Sequence, residues 1–324
     1  MKKFELTTEF ITNALGKKLF RIKALVEFGS VKAGELGGYA EKEENISQDG
    51  NAWVSGDARV YGNAWVSGDA RVYGDAKVHG NAKVFGNAEV YGDTEVYGNA
   101  WVSGDARVYG DAWVHGNAKV FGNAEVYGDT EVSGDALVYG NAKVFGNAEV
   151  YGDTEVYGNA WVYGDAKVSD NAKVFGNAEV YGDAKVFGNA WVSDDACVYG
   201  DAKVFGNAWV SGDAKVSDNA KVFGNAEVYG DAKVFGNAKV SDNAEVSGDA
   251  DYALVKGFGA EFRCTTFYRD KNKKIMVNCG CFHGDLEAFR KQVKETRSGK
   301  IAKEYLMIAD LMEYHFTSEG SNNE

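Results

Sequence analysis

Between residues 50 and 247 one arrangement of apolar and polar positions, G-[N/D]-A-x-V-y, repeats 33 times without an insertion. Valine holds its slot from Val54 to Val246, and the alanine slot departs only at Thr94, Thr130 and Thr154. Within "A-x-V-y" small apolar residues alternate with variable ones, the period-two signature of a strand with one buried face. Glycine followed by Asn or Asp supplies a corner, because these residues tolerate the positive φ of a tight bend. A four-residue strand plus a two-residue corner, repeated, cannot be a helix. The chain must wind.

Six-residue repeats with valine at one inward slot and alanine at the other resemble the hexapeptide-repeat, left-handed parallel β-helix proteins. The resemblance covers about 60% of the chain and implies an all-β solenoid in which three hexapeptides make one triangular coil. The 33 hexapeptides then give about 11 coils, with a length of about 53 Å at the spacing of neighbouring strands. Many hexapeptide enzymes place Gly directly after the aliphatic residue, whereas here an aromatic residue or Ser intervenes, as in "VYGNA". Each coil encloses three valines and usually three alanines, which leaves no room inside for a ligand.

An 18-residue coil has checkable neighbours. One face carries Arg71, Glu89, Arg107, Glu125 and Lys143, alternating in sign, so that facing strands pair favourably. One corner column reads Asp57, Asp75, Asp93, Asp111, Asp129, Asn147, Asp165, Asp183 and Asp201, an acidic ridge. Another corner is mostly Asn, including Asn63, Asn81, Asn99, Asn117, Asn171, Asn189, Asn207, Asn225 and Asn243, and stacked Asn form amide ladders. The outward slot stacks Tyr73, Tyr91, Tyr109, Tyr127, Phe145, Tyr163, Tyr181 and Tyr199. This column is either a sugar-stacking or protein-docking surface or a set of ladders that stabilise the coils. The slot is aromatic in 21 of 33 repeats, which favours the second reading.

Charge narrows the function. The net charge of −13 resides in the array, with 15 Lys and Arg against 28 Asp and Glu; the flanks hold 20 of each. An acidic array disfavours direct nucleic-acid binding and anionic lipid, whose affinity rests on basic contacts. No segment has the apolar core of a signal peptide or approaches a membrane span. Four cysteines without an export signal point to a reducing compartment. The expectation is a cytoplasmic protein of a bacterial host cell, without membrane contact.

Hexapeptide β-helices include acyltransferases, which the resemblance implies work as trimers with a catalytic histidine and loops that shape the pockets. The array offers His79 and His115 as candidates, two coils apart on one face, with no inserted loop beside either. Ice binding calls for outward threonines, and the three in the array are inward. An acidic decoy for a nucleic-acid-binding protein is a third reading. The block "GNAKVFGNAEVYGDT" recurs at 80–94, 116–130 and 140–154; the second offset moves it to another face. Such duplication suits a spacer better than a catalytic site.

The flanks divide the chain into a cap over 1–49, the β-helix over 50–249 and a small α+β domain over 250–324. In the cap, 17–28 alternates as a strand. The stretches "FRIKALVEFGSVKAGELGGYAEKEENISQDGNAWV" and "TTFYRDKNKKIMVNCGCFHGDLEAFRKQVKET" resemble uncharacterised hexapeptide-repeat proteins of phages and prophages. In the tail, "DYALVKGFG" and "EFRCTTFYRDKNKKIMVNCGCF" predict three strands. A helix follows with Leu286, Phe289 and Val293 on one face and Gly284 or Asp285 as its N-cap. A second helix, about 300–315, presents Ile301, Tyr305, Ile308 and Met312. Cys264, Cys279, Cys281 and His283 are the one set with zinc-like chemistry, against which C-x-C is tight, and small buried cysteines are common. His315 sits near the last helix's end. The sequence thus describes a non-catalytic structural and interaction protein without cofactor. Its partner is an unidentified protein, or a further copy of the chain along a solenoid face.

Overall fold

The computed structural model describes residues 2–259 and 262–317 and forms two compact units, 1–176 and 177–324. The first unit opens with an antiparallel hairpin of β1 (Phe4–Thr12) and β2 (Lys18–Ala24). β2 pairs antiparallel with β3 (Leu36–Ala40), and β3 pairs in parallel with Arg59–Val60. From there short strands wind in three series. Val54 lies beside Val72, Val60 beside Val78 and Val66 beside Val84, each pair 18 residues apart. The second unit keeps the same register, for example Val180 beside Val198 and Val186 beside Val204.

Alternation explains why these residues form these strands. Every valine of the array is fully buried, and the alanines are exposed by 1% or less. Where threonine replaces alanine, its hydroxyl is satisfied. Thr94, Thr130 and Thr154 donate from Oγ1 to the carbonyls of Tyr91, Tyr127 and Tyr151 at 2.8, 2.8 and 2.6 Å. A buried hydroxyl with a partner carries little penalty.

The corner glycine answers to two constraints at once. Gly128 has φ +79°, and a Cβ there would sit 2.9 Å from the carbonyl oxygen of Gly146 in the next coil. Four repeats nevertheless carry aspartate in this slot: Asp170, Asp194, Asp218 and Asp242, with φ between 57 and 62°. Aspartate tolerates the left-handed region better than most residues. It also gains a bond here, because Asp218 Oδ2 accepts from the backbone N–H of Gly236, one coil on, at 2.9 Å.

Winding begins before the periodic register does. Ala40 pairs with Val60, and Ile46 bridges Val66, both at an offset of 20. The two additional residues conceal this turn from a six-residue count, so the solenoid has about 12 turns rather than 11. The hairpin covers this end. Lys3 donates from Nζ to the carbonyls of Gly50 and Ala52 at 3.2 and 3.0 Å, and burial pulls its ammonium down to about 8. Asn45 Nδ2 reaches the carbonyls of Gly62 and Ala64 in the same manner.

The second unit ends in an antiparallel sheet of β4 (Tyr252–Phe258), β5 (Arg263–Arg269), β6 (Ile275–Cys279) and β7 (Phe282–Asp285). Two helices follow, α1 (Leu286–Thr296) and α2 (Gly299–Thr317). The sheet has four strands where three were expected, because Gly280, at φ +61°, turns the chain back on itself. Glu261, where the second expected strand begins, lies outside the described residues, as do 318–324. Asp285 is the N-cap of α1 and accepts from Ala288 N at 2.8 Å. Phe267, Val277, Leu286, Phe289, Val293, Tyr305, Ile308 and Met312 share one core. The helical faces expected to be inward are inward, with Ile301 at the margin.

Candidate functional site

The outward aromatics form ladders with tight geometry. In the first unit Tyr73, Tyr91, Tyr109, Tyr127, Phe145 and Tyr163 stack with ring centroids 4.7–4.9 Å apart and planes within 3°. Tyr181 and Tyr199 stack likewise in the second. Each inner ring gives both faces to its neighbours, so partners meet only ring edges and hydroxyls. Sugar stacking across an open ring face is not on offer along this column.

Burial first, and the Glu89 and Glu125 carboxylates second, push the Tyr73 and Tyr109 hydroxyls up to about 12. Their unfolded value is about 10, so the folded chain holds these protons more tightly. Their stabilising share is complete below pH 10 and is lost as pH rises from about 10 to about 12. Denaturant melts across this window are expected to show falling stability. The Tyr73→Phe/Tyr109→Phe variant should flatten the fall, since Phe145 already occupies the same stack.

The two array histidines are rungs of a second ladder. His79 lies between Tyr61 and Tyr97 at 4.6 and 5.2 Å, and its Nε2 is 2.7 Å from Glu95 Oε1. His115 stacks on Tyr97 at 4.7 Å, with Nε2 2.9 Å from Glu131 Oε1. In both, Nε2 is held by a glutamate carboxylate 16 residues on.

The expected charge ladder is present: Arg107 lies 3.9 Å from Glu89 and 4.0 Å from Glu125, and Lys143 lies 3.3 Å from Glu125. The asparagine corner forms amide chains, with Asn63, Asn81, Asn99 and Asn117 linked at 3.0–3.1 Å. Asn189, Asn207 and Asn225 continue the pattern in the second unit at 3.0 Å.

The acidic ridge is under tension in its middle. Partial desolvation, the hydrogen bond with Asp129 and the charges of Asp129 and Asp93 raise the Asp111 carboxyl above the usual range. Further along, Asn147 relieves the repulsion by donating to Asp165 Oδ1 at 2.8 Å. A folded pKa above the unfolded one means stability rises as pH falls through the carboxylate range. Asp111→Asn is therefore expected to raise the melting temperature at pH 7, by an amount that fades on acidification.

Tryptophan in the variable slot adds exposed rings outside these ladders. Trp101 lies between Lys83 and Lys119, whose ammoniums sit 5.2 and 5.0 Å from its ring. Trp191 and Trp209 are neighbours on adjacent strands of the second unit, 41% and 42% exposed. The 18-residue step between the latter two was visible in the sequence.

Of the tail's thiols and imidazole, Cys279, Cys281 and His283 border one cleft, and Cys264 does not line it. Thr265 pairs with Cys279 across β5 and β6, so Cys264 points to the other face of the sheet. Cys279 Sγ accepts from Thr265 Oγ1 at 3.1 Å, and Cys281 is exposed in the turn rather than sharing Cys279's strand face. His283 uses both nitrogens, Nδ1 at 2.8 Å from Asn278 Oδ1 and Nε2 at 2.6 Å from Asp242 Oδ2. Among the described residues no three His, Cys, Asp or Glu side chains are grouped to hold a metal ion. His315 packs edge-on against Phe316.

His283 and Asn278 instead join the sheet to the last coil. Asn278 Nδ2 donates to Lys239 O at 2.9 Å, while Lys239 N donates to Thr266 Oγ1 at 2.9 Å. The fully buried Tyr268 hydroxyl meets Ser241 Oγ at 3.0 Å and Asn278 Nδ2 at 3.3 Å. These side chains take the place of the strand that a further coil would supply.

Parallel turns of 18 residues around a sealed Val/Ala interior define a β-solenoid repeat protein. Two segments, 52–68 and 100–116, are similar to the family described as the YdcK β-solenoid repeat. No curated protein matches the chain. No helix among the described residues is long and apolar enough to cross a membrane.

Proposed function

We propose that the protein is a non-catalytic scaffold whose solenoid displays side chains in fixed register. On this reading the C-terminal domain closes the last coil and docks a protein partner. The observation that carries it is the occupation of the array's chemistry: inward slots are filled, and His79 and His115 are fixed between or against tyrosine rings. Partner docking is supported by α2, which buries Tyr305, Ile308 and Met312 yet leaves Met307, Leu311 and Tyr314 exposed by 61%, 58% and 72%. Spacing of four and three residues aligns these on one helical stripe.

Affinity capture from bacterial lysate compares the full chain with a Met307→Glu/Leu311→Glu variant of equal melting temperature. A specific partner retained by the first and lost by the second supports the reading; no partner, or the same set with both, counts against it. The cap and tail stretches support a phage or prophage origin, and a gene neighbourhood devoid of phage functions would overturn it.

A further inference from the structure

The C-terminal domain contains a cleft of about 660 Å³ beside the β6–β7 turn, α1 and the start of α2. This lies within the ordinary range for small-molecule sites, about 300–1,000 Å³. Phe282, Phe289, Val293 and Tyr305 supply its apolar part, with Phe289 edge-on to Tyr305 at 5.8 Å, and Gln292 and Thr296 a polar one. Arg297 and Cys281 also line it.

None of the described residues lining the cleft is Asp or Glu. His283 is turned to Asp242 and Asn278. Arg297 therefore brings the one uncompensated full charge among the described lining residues.

Arg297 is also placed to keep an anion from being repelled. It is the C-cap of α1, and its Nη1 donates to Thr296 O at 3.0 Å. That bond covers a carbonyl at the negative end of the helix dipole. A guanidinium has five N–H donors in a planar fork, and those remaining match a carboxylate.

We propose that this cleft binds a small organic acid with a flat apolar body, its carboxylate on Arg297 and its body against Phe282, Phe289 and Tyr305. The test uses the full chain and two matched probe pairs, 2-naphthoate against 2-naphthamide and phenylacetate against phenylacetamide. Calorimetric titration at pH 7 runs beside iodoacetamide labelling of Cys281, read by peptide mass spectrometry. The acids are expected to bind saturably and about tenfold more tightly than the amides, the ratio a charge-assisted hydrogen bond supplies. They should also slow Cys281 labelling. Arg297→Gln should abolish the difference between acid and amide, and Arg297→Lys should keep part of it. Equal binding of acid and amide, or no saturable binding at millimolar concentration, overturns the proposal. That comparison on the native chain decides it even where Arg297→Gln disturbs the end of α1.

Discussion

Val126→Asp is expected to abolish the cooperative unfolding transition of the first unit. Val126 is fully buried and sits in register between Val108 and Val144. The inward side chains around it are valine and alanine apart from Thr130, whose hydroxyl already donates to the Tyr127 carbonyl, so a carboxylate placed there finds no uncommitted side-chain donor. Burying a charge or an unpaired carboxyl on these terms costs more than about 4 kcal/mol. Each coil of a solenoid contacts only its neighbours. The damage therefore separates the coils on either side and exposes strand edges, which promote association. Circular dichroism melts and size-exclusion chromatography should show a lost or split transition and aggregated material. Glu125→Ala, one residue away and outward, gives up the ion pairs with Arg107 and Lys143 and should cost no more than about 1 kcal/mol. A Val126→Asp protein that melts like the parent would mean that the valine slot is not sealed.

Tyr268→Ala is expected to release the C-terminal sheet from the last coil and to make the protein self-associate. The ring is fully buried, and its removal costs about 3–5 kcal/mol. The loss also leaves Ser241 Oγ and Asn278 Nδ2 without the hydroxyl they now share. Once the sheet lifts, the Lys239–Val240 strand loses Thr266 and Asn278. Its backbone groups then stand ready to pair with another chain. Sedimentation velocity over a concentration series should show growth in size for Tyr268→Ala. Tyr268→Phe removes only the hydroxyl, at about 1 kcal/mol, and should sediment like the parent. Equal behaviour of all three proteins would mean that the docked sheet does not protect the coil.

The array was legible in its sequence because its interactions are periodic. Arg107 meets Glu89 and Glu125, and Asn81 meets Asn99, since a step of 18 residues returns to the same face. The turn before the array was not legible, because Ala40 reaches Val60 by a step of 20. The fourth tail strand was missed for a local reason: Gly280 bends "CGCF" into a hairpin, where a continuous strand had been expected. Of the C-terminal cleft, the sequence drew notice to Cys279, Cys281 and His283 only as part of a set with zinc-like chemistry that the tight C-x-C spacing disfavours, whereas Arg297 gave no motif at all.

Sequence alone determined the alternation that buries valine and alanine, the positive-φ corner and the identity of each rung, all of which follow from neighbours six or 18 residues apart. Only the tertiary structure decided which groups close the last coil and which line the cleft. Thr266, Tyr268 and Asn278 meet that coil at separations of 27 to 39 residues, where no repeat sets the partner. Such pairings depend on how an aperiodic sheet packs against the coil, and packing is a property of the assembled surface rather than of any local pattern.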